Sequence, residues 1–130
     1  MAYATIKKFG SSLFSGGFEW NGRVLKPYGK SSAEGWEFSG SQLKPNGKAA
    51  SSGFEWNGQV LKPYGRSALS GYDCSKTLIK PYGRSQESGW VLRTNACHPY
   101  GKSAHEGWEI SGELPLPVIA LVVLNLAESI

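Results

Sequence analysis

A step of 18 residues governs this chain. Aligned on their leading glycines, units begin at Gly17, Gly35, Gly53, Gly71, Gly89 and Gly107, with no insertion or deletion between them. "GFEWNGRVLKPYGKSSAE" at 17–34 returns as "GFEWNGQVLKPYGRSALS" at 53–70. A fixed period of this size is the mark of a repeat architecture. One unit buries too little apolar surface to offset the entropy of ordering its backbone. Each unit therefore needs its neighbours, and repetition lets every unit present the surface that the next one requires.

Within a unit, numbered from its glycine, position 2 is aromatic: Phe18, Trp36, Phe54, Tyr72, Trp90 and Trp108. Position 4 is mostly large and apolar, as in Trp20, Phe38 and Trp56, and an acid stands between the two in five of the six units. Such alternation predicts a strand with one buried face. These aromatics are the expected repeat core. Asn-Gly or Ser-Gly follows, as at Asn21-Gly22, Ser39-Gly40, Asn57-Gly58 and Ser111-Gly112. Asn-Gly between alternating runs predicts a two-residue type I′ hairpin, which sets position 4 opposite position 7 and position 2 opposite position 9. Position 9 is Leu25, Leu43, Leu61, Ile79 and Cys97, on the same face as the aromatics. Lys-Pro-Tyr-Gly closes the second strand, because Pro removes a ladder donor and presets a turn.

The expected fold class is all-β, with tandem hairpin repeats stacked as a β-solenoid; the alternative is an antiparallel meander that curls or closes. Three segments follow. Residues 1–16 form an N-terminal half repeat or cap, since "IKKFGSSLFSG" echoes "LKPYGKSSAEG" with one inserted residue. Residues 17–112 hold five full repeats and the start of the sixth. Residues 113–130 form a divergent apolar C-terminal cap, a capping strand or buried tail that covers the last hydrophobic rung, or else a docking tail for assembly or membrane contact. In a meander, the half unit and the diverged unit can complete each other. The tail is far shorter than the ~20 residues of a spanning helix. Its uncharged β-branched window around Val118, Ile119, Leu121, Val122 and Val123 is aggregation-prone if exposed, with Glu128 its only gatekeeper.

No catalytic set emerges, and the chain reads as a non-enzyme with no cofactor and no metal. Cys74 and Cys97 occupy apolar positions and read as buried thiols. His98 and His105 have no ligand partners at metal-site spacing. The acidic row Glu19, Glu37, Glu55, Asp73 and Glu109 shares a face with Lys26, Lys44, Lys62 and Lys80, and cross-strand pairing accounts for both rows. "YGKS" at 28–31 lacks the glycine spacing of a phosphate loop.

The Gly-Trp hairpin rhythm resembles the choline- and glucan-binding cell-wall repeats, whose stacked hairpins hold aromatic cages. The resemblance covers "GWEF" to "LK" in each unit. The Trp-Tyr-Tyr cluster of their second strand is absent, Lys-Pro stands there, and the period is shorter. No binding residue is carried over from it.

The leading functional expectation is a structural repeat protein that self-associates into an oligomer or filament through stacked hairpins and its ends. The alternative is a repeat module that binds surface carbohydrate or another polymer through turn aromatics Tyr28, Tyr64, Tyr82 and Tyr100, each flanked by Lys or Arg. Nucleic acid ranks behind both: the formal net charge of +4 is dispersed along the chain, whereas phosphate neutralisation needs clustered cations. The N-terminus lacks the apolar core of about 7–15 residues of a cleavable signal peptide, which leaves a cytoplasmic or non-classically exported protein as the expectation. No transmembrane helix is expected.

Overall fold

Alternating apolar residues do make short strands in every unit. The computed structural model describes residues 4–126. Its strands are β1 (Ala4–Lys8), β2 (Phe18–Trp20), β3 (Val24–Pro27), β4 (Trp36–Phe38), β5 (Gln42–Pro45), β6 (Phe54–Trp56), β7 (Val60–Pro63), β8 (Tyr72–Cys74), β9 (Leu78–Pro81), β10 (Trp90–Leu92), β11 (Ala96–Pro99) and β12 (Trp108–Ser111). Consecutive strands pair antiparallel all the way round, and β1 pairs with both β2 and β12. The result is one closed twelve-stranded barrel. The solenoid expectation is thus overturned in favour of the closed meander. The physical reason lies in the half unit: β1 supplies the partner that β12 lacks, and a ring leaves no strand edge unpaired.

The half unit fits the sixth repeat in detail. Ile6 lies opposite Ile110 and Lys7 opposite Glu109, as Leu25 lies opposite Trp20 and Lys26 opposite Glu19. The Phe9 amide donates to the Gly107 carbonyl at 3.0 Å, matching Tyr28 to Gly17 at 2.9 Å. Six hairpins result, one of them split between the two ends of the sequence.

The hairpin turn differs from the type I′ expectation. Position 4 pairs with position 9, as in Trp20 with Leu25, and position 2 pairs with the proline, as in Phe18 with Pro27. The central residues are Gly22 and Arg23, one step later than Asn-Gly. Asn21 Oδ1 accepts from the amides of Arg23 at 2.9 Å and Val24 at 2.8 Å. That capture makes Asn the residue that closes the turn, not one of its central pair. Positive φ then falls on Gly22 alone, at +100°, whereas a type I′ turn requires it at both central residues. Moving the turn by one residue slips the pairing by two. Because side chains alternate with period two, every predicted inward residue stays inward.

Twelve strands enclose more space than side chains alone can fill, since about eight strands already make a filled interior. Here the C-terminal segment fills it. Helix α1 (Leu116–Val123) is buried from Pro117 to Val123, on every face. A helix apolar all round belongs inside a core. It threads the barrel. Pro115 and Ile119 sit with Gly22 and Thr94 at the hairpin-turn end, and Leu126 sits with Tyr64 at the other. The strands of three to five residues rise roughly 10–16 Å and the eight-residue helix roughly 12 Å, so plug and wall match in height. Of the two expected forms, capping strand or buried tail, the segment takes the second, as a helix. Every neighbouring strand has spent its backbone groups on the ring, and only a helix satisfies its own. Pro117 is tolerated because it lies in the first turn.

Trp20 and Phe54 are buried, and Phe18, Trp36, Phe38, Trp56, Tyr72, Trp90 and Trp108 are half-buried against the same cluster. The deepest layer is aliphatic: Ile6, Leu43, Leu61 and Ile79 show no exposed surface. Outward, Lys26 Nζ meets Glu19 at 2.8 Å and Lys80 Nζ meets Asp73 at 3.4 Å, while Lys44, Lys62 and Lys7 pair with Glu37, Glu55 and Glu109. Among the described residues no helix is long and apolar enough to cross a membrane. Residues 1–3 and 127–130 lie outside the described residues, and with them the gatekeeper expectation for Glu128.

Candidate functional site

Antiparallel pairing sends all the Pro-Tyr-Gly turns to one rim of the barrel and all the Asn-Gly turns to the other. The first rim carries position 12 of the six hairpins: Phe9, Tyr28, Asn46, Tyr64, Tyr82 and Tyr100. A short 3₁₀ turn follows each Pro-Tyr-Gly or Pro-Asn-Gly corner and rejoins the next strand on this rim. Each corner is closed by a backbone bond, such as Arg66 N to Pro63 O at 3.0 Å, and hung from the preceding repeat glycine by Tyr64 N to Gly53 O at 3.0 Å. The tyrosines are thus carried on hydrogen-bonded backbone rather than on free loops.

Four of the six rim residues are engaged by the 3₁₀ turn before their own hairpin. Phe9 packs edge-on against His105 at 4.5 Å and Tyr28 against Phe14 at 4.9 Å. Asn46 Nδ2 donates to the Ser32 carbonyl at 3.0 Å, and Gln86 Nε2 donates to the Tyr100 hydroxyl at 3.1 Å. At the corresponding places, 14 residues before Tyr64 and Tyr82, stand Ala50 and Ala68. Alanine offers neither ring nor donor. Tyr64 is 45% exposed, Tyr82 37% and the hydrogen-bonded Tyr100 38%. Beside Tyr64 opens a hollow of about 430 Å³, lined by Phe54, Tyr72, Arg66, Leu126 and the hydroxyl-bearing Ser51 and Ser70.

The charges on this rim are uneven. Lys30, Lys48, Arg66, Arg84 and Lys102 follow the turns and are exposed. Acids stand in three of the 3₁₀ turns that follow these cations: Glu34 after Lys30, Glu87 after Arg84 and Glu106 after Lys102. The turns Ala50–Ser52 and Ala68–Ser70 contain no acid. The lysines of the barrel wall are already committed: Lys26 Nζ also donates to the Lys30 carbonyl at 2.6 Å.

The remaining candidates lie elsewhere. Val118, Ile119, Leu121, Val122 and Val123 are buried in α1. Cys74 and Cys97 are free and buried, and burial pushes each thiol up to about 12, with the Asp73 charge adding to the effect at Cys74. Such thiols stay protonated near neutral pH and are poor nucleophiles. His98 is buried, with Nδ1 2.9 Å from the Pro99 carbonyl, and it faces Val91 where other repeats set Lys against an acid. Both members of that pair are replaced together. Among the described residues no three His, Cys, Asp or Glu side chains gather as a metal site. The contribution of Leu69, 78% exposed between Tyr64 and Tyr82 in sequence, was not evident before the fold, because the linkers read only as small and polar. No protein-family model matches the chain, and comparison with curated proteins and with solved structures gives no match.

Proposed function

We propose that this chain is a non-enzymatic binding barrel that engages surface carbohydrate, or a polymer like it, through its tyrosine rim. One observation carries the reading. The large apolar side chains that stand exposed among the described residues are Phe14, Tyr64, Leu69, Tyr82 and Tyr100, and all belong to this rim. Exposed apolar side chains set among polar groups on a rigid scaffold are what a binding face needs. Tyrosine suits the task, because its ring covers the apolar face of a sugar while its hydroxyl stays in reach of the sugar's own. A glycan panel against the wild-type protein and the Tyr64→Ala, Tyr82→Ala double variant is the test. Binding that falls at least about tenfold in the variant, with an unchanged melting temperature, supports the reading. A protein that captures no glycan, or a variant that captures them equally well, sinks it.

The same exposed rim residues favour a second reading, rim-to-rim self-association. A closed ring offers no strand edge for a second copy to extend, so copies would meet through faces rather than ladders. Light scattering with negative-stain imaging decides: a defined oligomer or filament supports this reading, and a 14.1 kDa monomer at all concentrations ends it.

A further inference from the structure

We propose that the sector of the rim formed by repeats three and four selects an anionic polysaccharide, one with recurring carboxylate or sulfate groups. This deepens the carbohydrate reading above and rests on it.

Three features coincide in this sector. Tyr64 and Tyr82 are the rim tyrosines whose preceding turn supplies alanine in place of a packing or hydrogen-bonding partner, and Tyr64 is the most exposed of the rim tyrosines at 45%. The cation two residues on is arginine in these two repeats, Arg66 and Arg84, and lysine in repeats one, two and five. The 3₁₀ turns that precede these two hairpins carry no acid, whereas those before repeats two, five and six do. Elsewhere on the rim, then, cations have acids near by and several rim residues are covered. Here the 3₁₀ turns on both sides of Arg66, Ala50–Ser52 and Ala68–Ser70, carry no acid, and the second guanidinium, Arg84, has Glu87 three residues on.

Arginine matters because its planar fork meets a carboxylate or sulfate with two parallel hydrogen bonds, which a lysine ammonium does not. The turns after β7 and β9 are two strand spacings apart, about 9.5 Å around the wall. A single anion reaches one fork. A chain of sugars with recurring charge reaches both, and linkage raises the second contact's effective concentration. The hollow beside Tyr64, with its serine hydroxyls, gives room for one ring of such a chain next to the first fork.

The experiment uses three hexasaccharide probes, a galacturonate hexamer, its methyl ester and neutral maltohexaose, and a single-stranded oligonucleotide as a fourth. Binding is measured by calorimetry to the full chain, to the Tyr64→Ala, Tyr82→Ala variant, to Arg66→Gln with Arg84→Gln, and to Lys76→Gln with Arg93→Gln. The last pair removes the same charge from the exposed hairpin-turn rim. The expected result is binding of the acidic hexamer at least about tenfold tighter than its ester, lost by about tenfold or more in the Arg66, Arg84 variant and kept in the opposite-rim variant. Equal binding of all three hexasaccharides, with the arginine variant unaffected and the tyrosine variant impaired, overturns the anionic selectivity and leaves the carbohydrate reading intact. Failure of every oligosaccharide overturns both. Equal loss in both charge variants assigns the effect to net charge and overturns the sector. Tighter binding of a single-stranded oligonucleotide than of the acidic hexamer overturns the ligand class.

Discussion

At the residue scale, the glycine that opens each repeat has a purpose that the period alone does not reveal. It does not adopt positive φ at Gly35, Gly53, Gly71, Gly89 or Gly107. It lets the chain pass directly over the preceding strand. A Cβ built on Gly71 would collide with the Leu61 carbonyl oxygen and would lie 2.7 Å from Lys62 Cβ. Backbone cannot yield there without disturbing the β7–β8 ladder. Gly71→Ala is expected to lose about 1–3 kcal/mol of stability, measured by chemical denaturation. A neutral substitution would show that the strands separate freely at this crossing. The burial of the aromatic alternation was legible in the sequence, since period two survives a slip of two residues. The turn register was not, because the Asn21 side chain, rather than its backbone φ, closes the loop.

At the scale of elements, the outward Glu–Lys pairs tie each hairpin together across its two strands. The Lys26 ammonium and then the Gly29 amide hold the Glu19 carboxyl below its ordinary range, and Lys44, Lys62 and Lys7 act likewise on Glu37, Glu55 and Glu109. A carboxyl whose folded pKa is depressed stabilises the fold above its unfolded pKa, near 4.3, and that contribution disappears as pH falls through the folded value. The melting temperature is therefore expected to hold from about pH 7 to about pH 5 and to decline below about pH 4. A melting temperature flat to pH 2 would mean that the pairs contribute nothing. The pairs themselves could be read from residue spacing, because face and sign both follow from alternation. Helix α1 could not, since Val and Ile in a short apolar run suit strand and helix equally, and only the occupied ladder around the segment decides. Truncation after Gly112 removes the plug and exposes the inward aliphatics. It is expected to abolish cooperative unfolding and to bind a hydrophobic dye; a truncated chain that melts sharply would show that the barrel stands empty.

At the scale of the whole molecule, closure depends on a strand contributed by the least regular part of the sequence. β1 joins β2 to β12 across the ring. Deleting residues 1–10 is expected to leave both partners as free edges and to produce concentration-dependent association in light scattering. A variant that remains monomeric at every concentration would mean that β2 and β12 close on each other directly. Class and repeat count were legible in the sequence. Closure was legible only as an alternative, because a strict period is equally compatible with an open stack, and nothing local distinguishes a strand that caps from one that closes.

The helix inside the ring has a consequence for how such a chain can vary. Open arrays of repeats lengthen by copying a unit, and each copy simply adds to the end. Here a seventh hairpin would widen the wall around a helix of fixed girth and open a void along its whole length, while a five-hairpin ring would have no room for it. The plug therefore acts as a gauge that sets the number of units to six. Copying one unit is not a neutral step for this molecule, and any change in count must be matched by a change in what fills the bore.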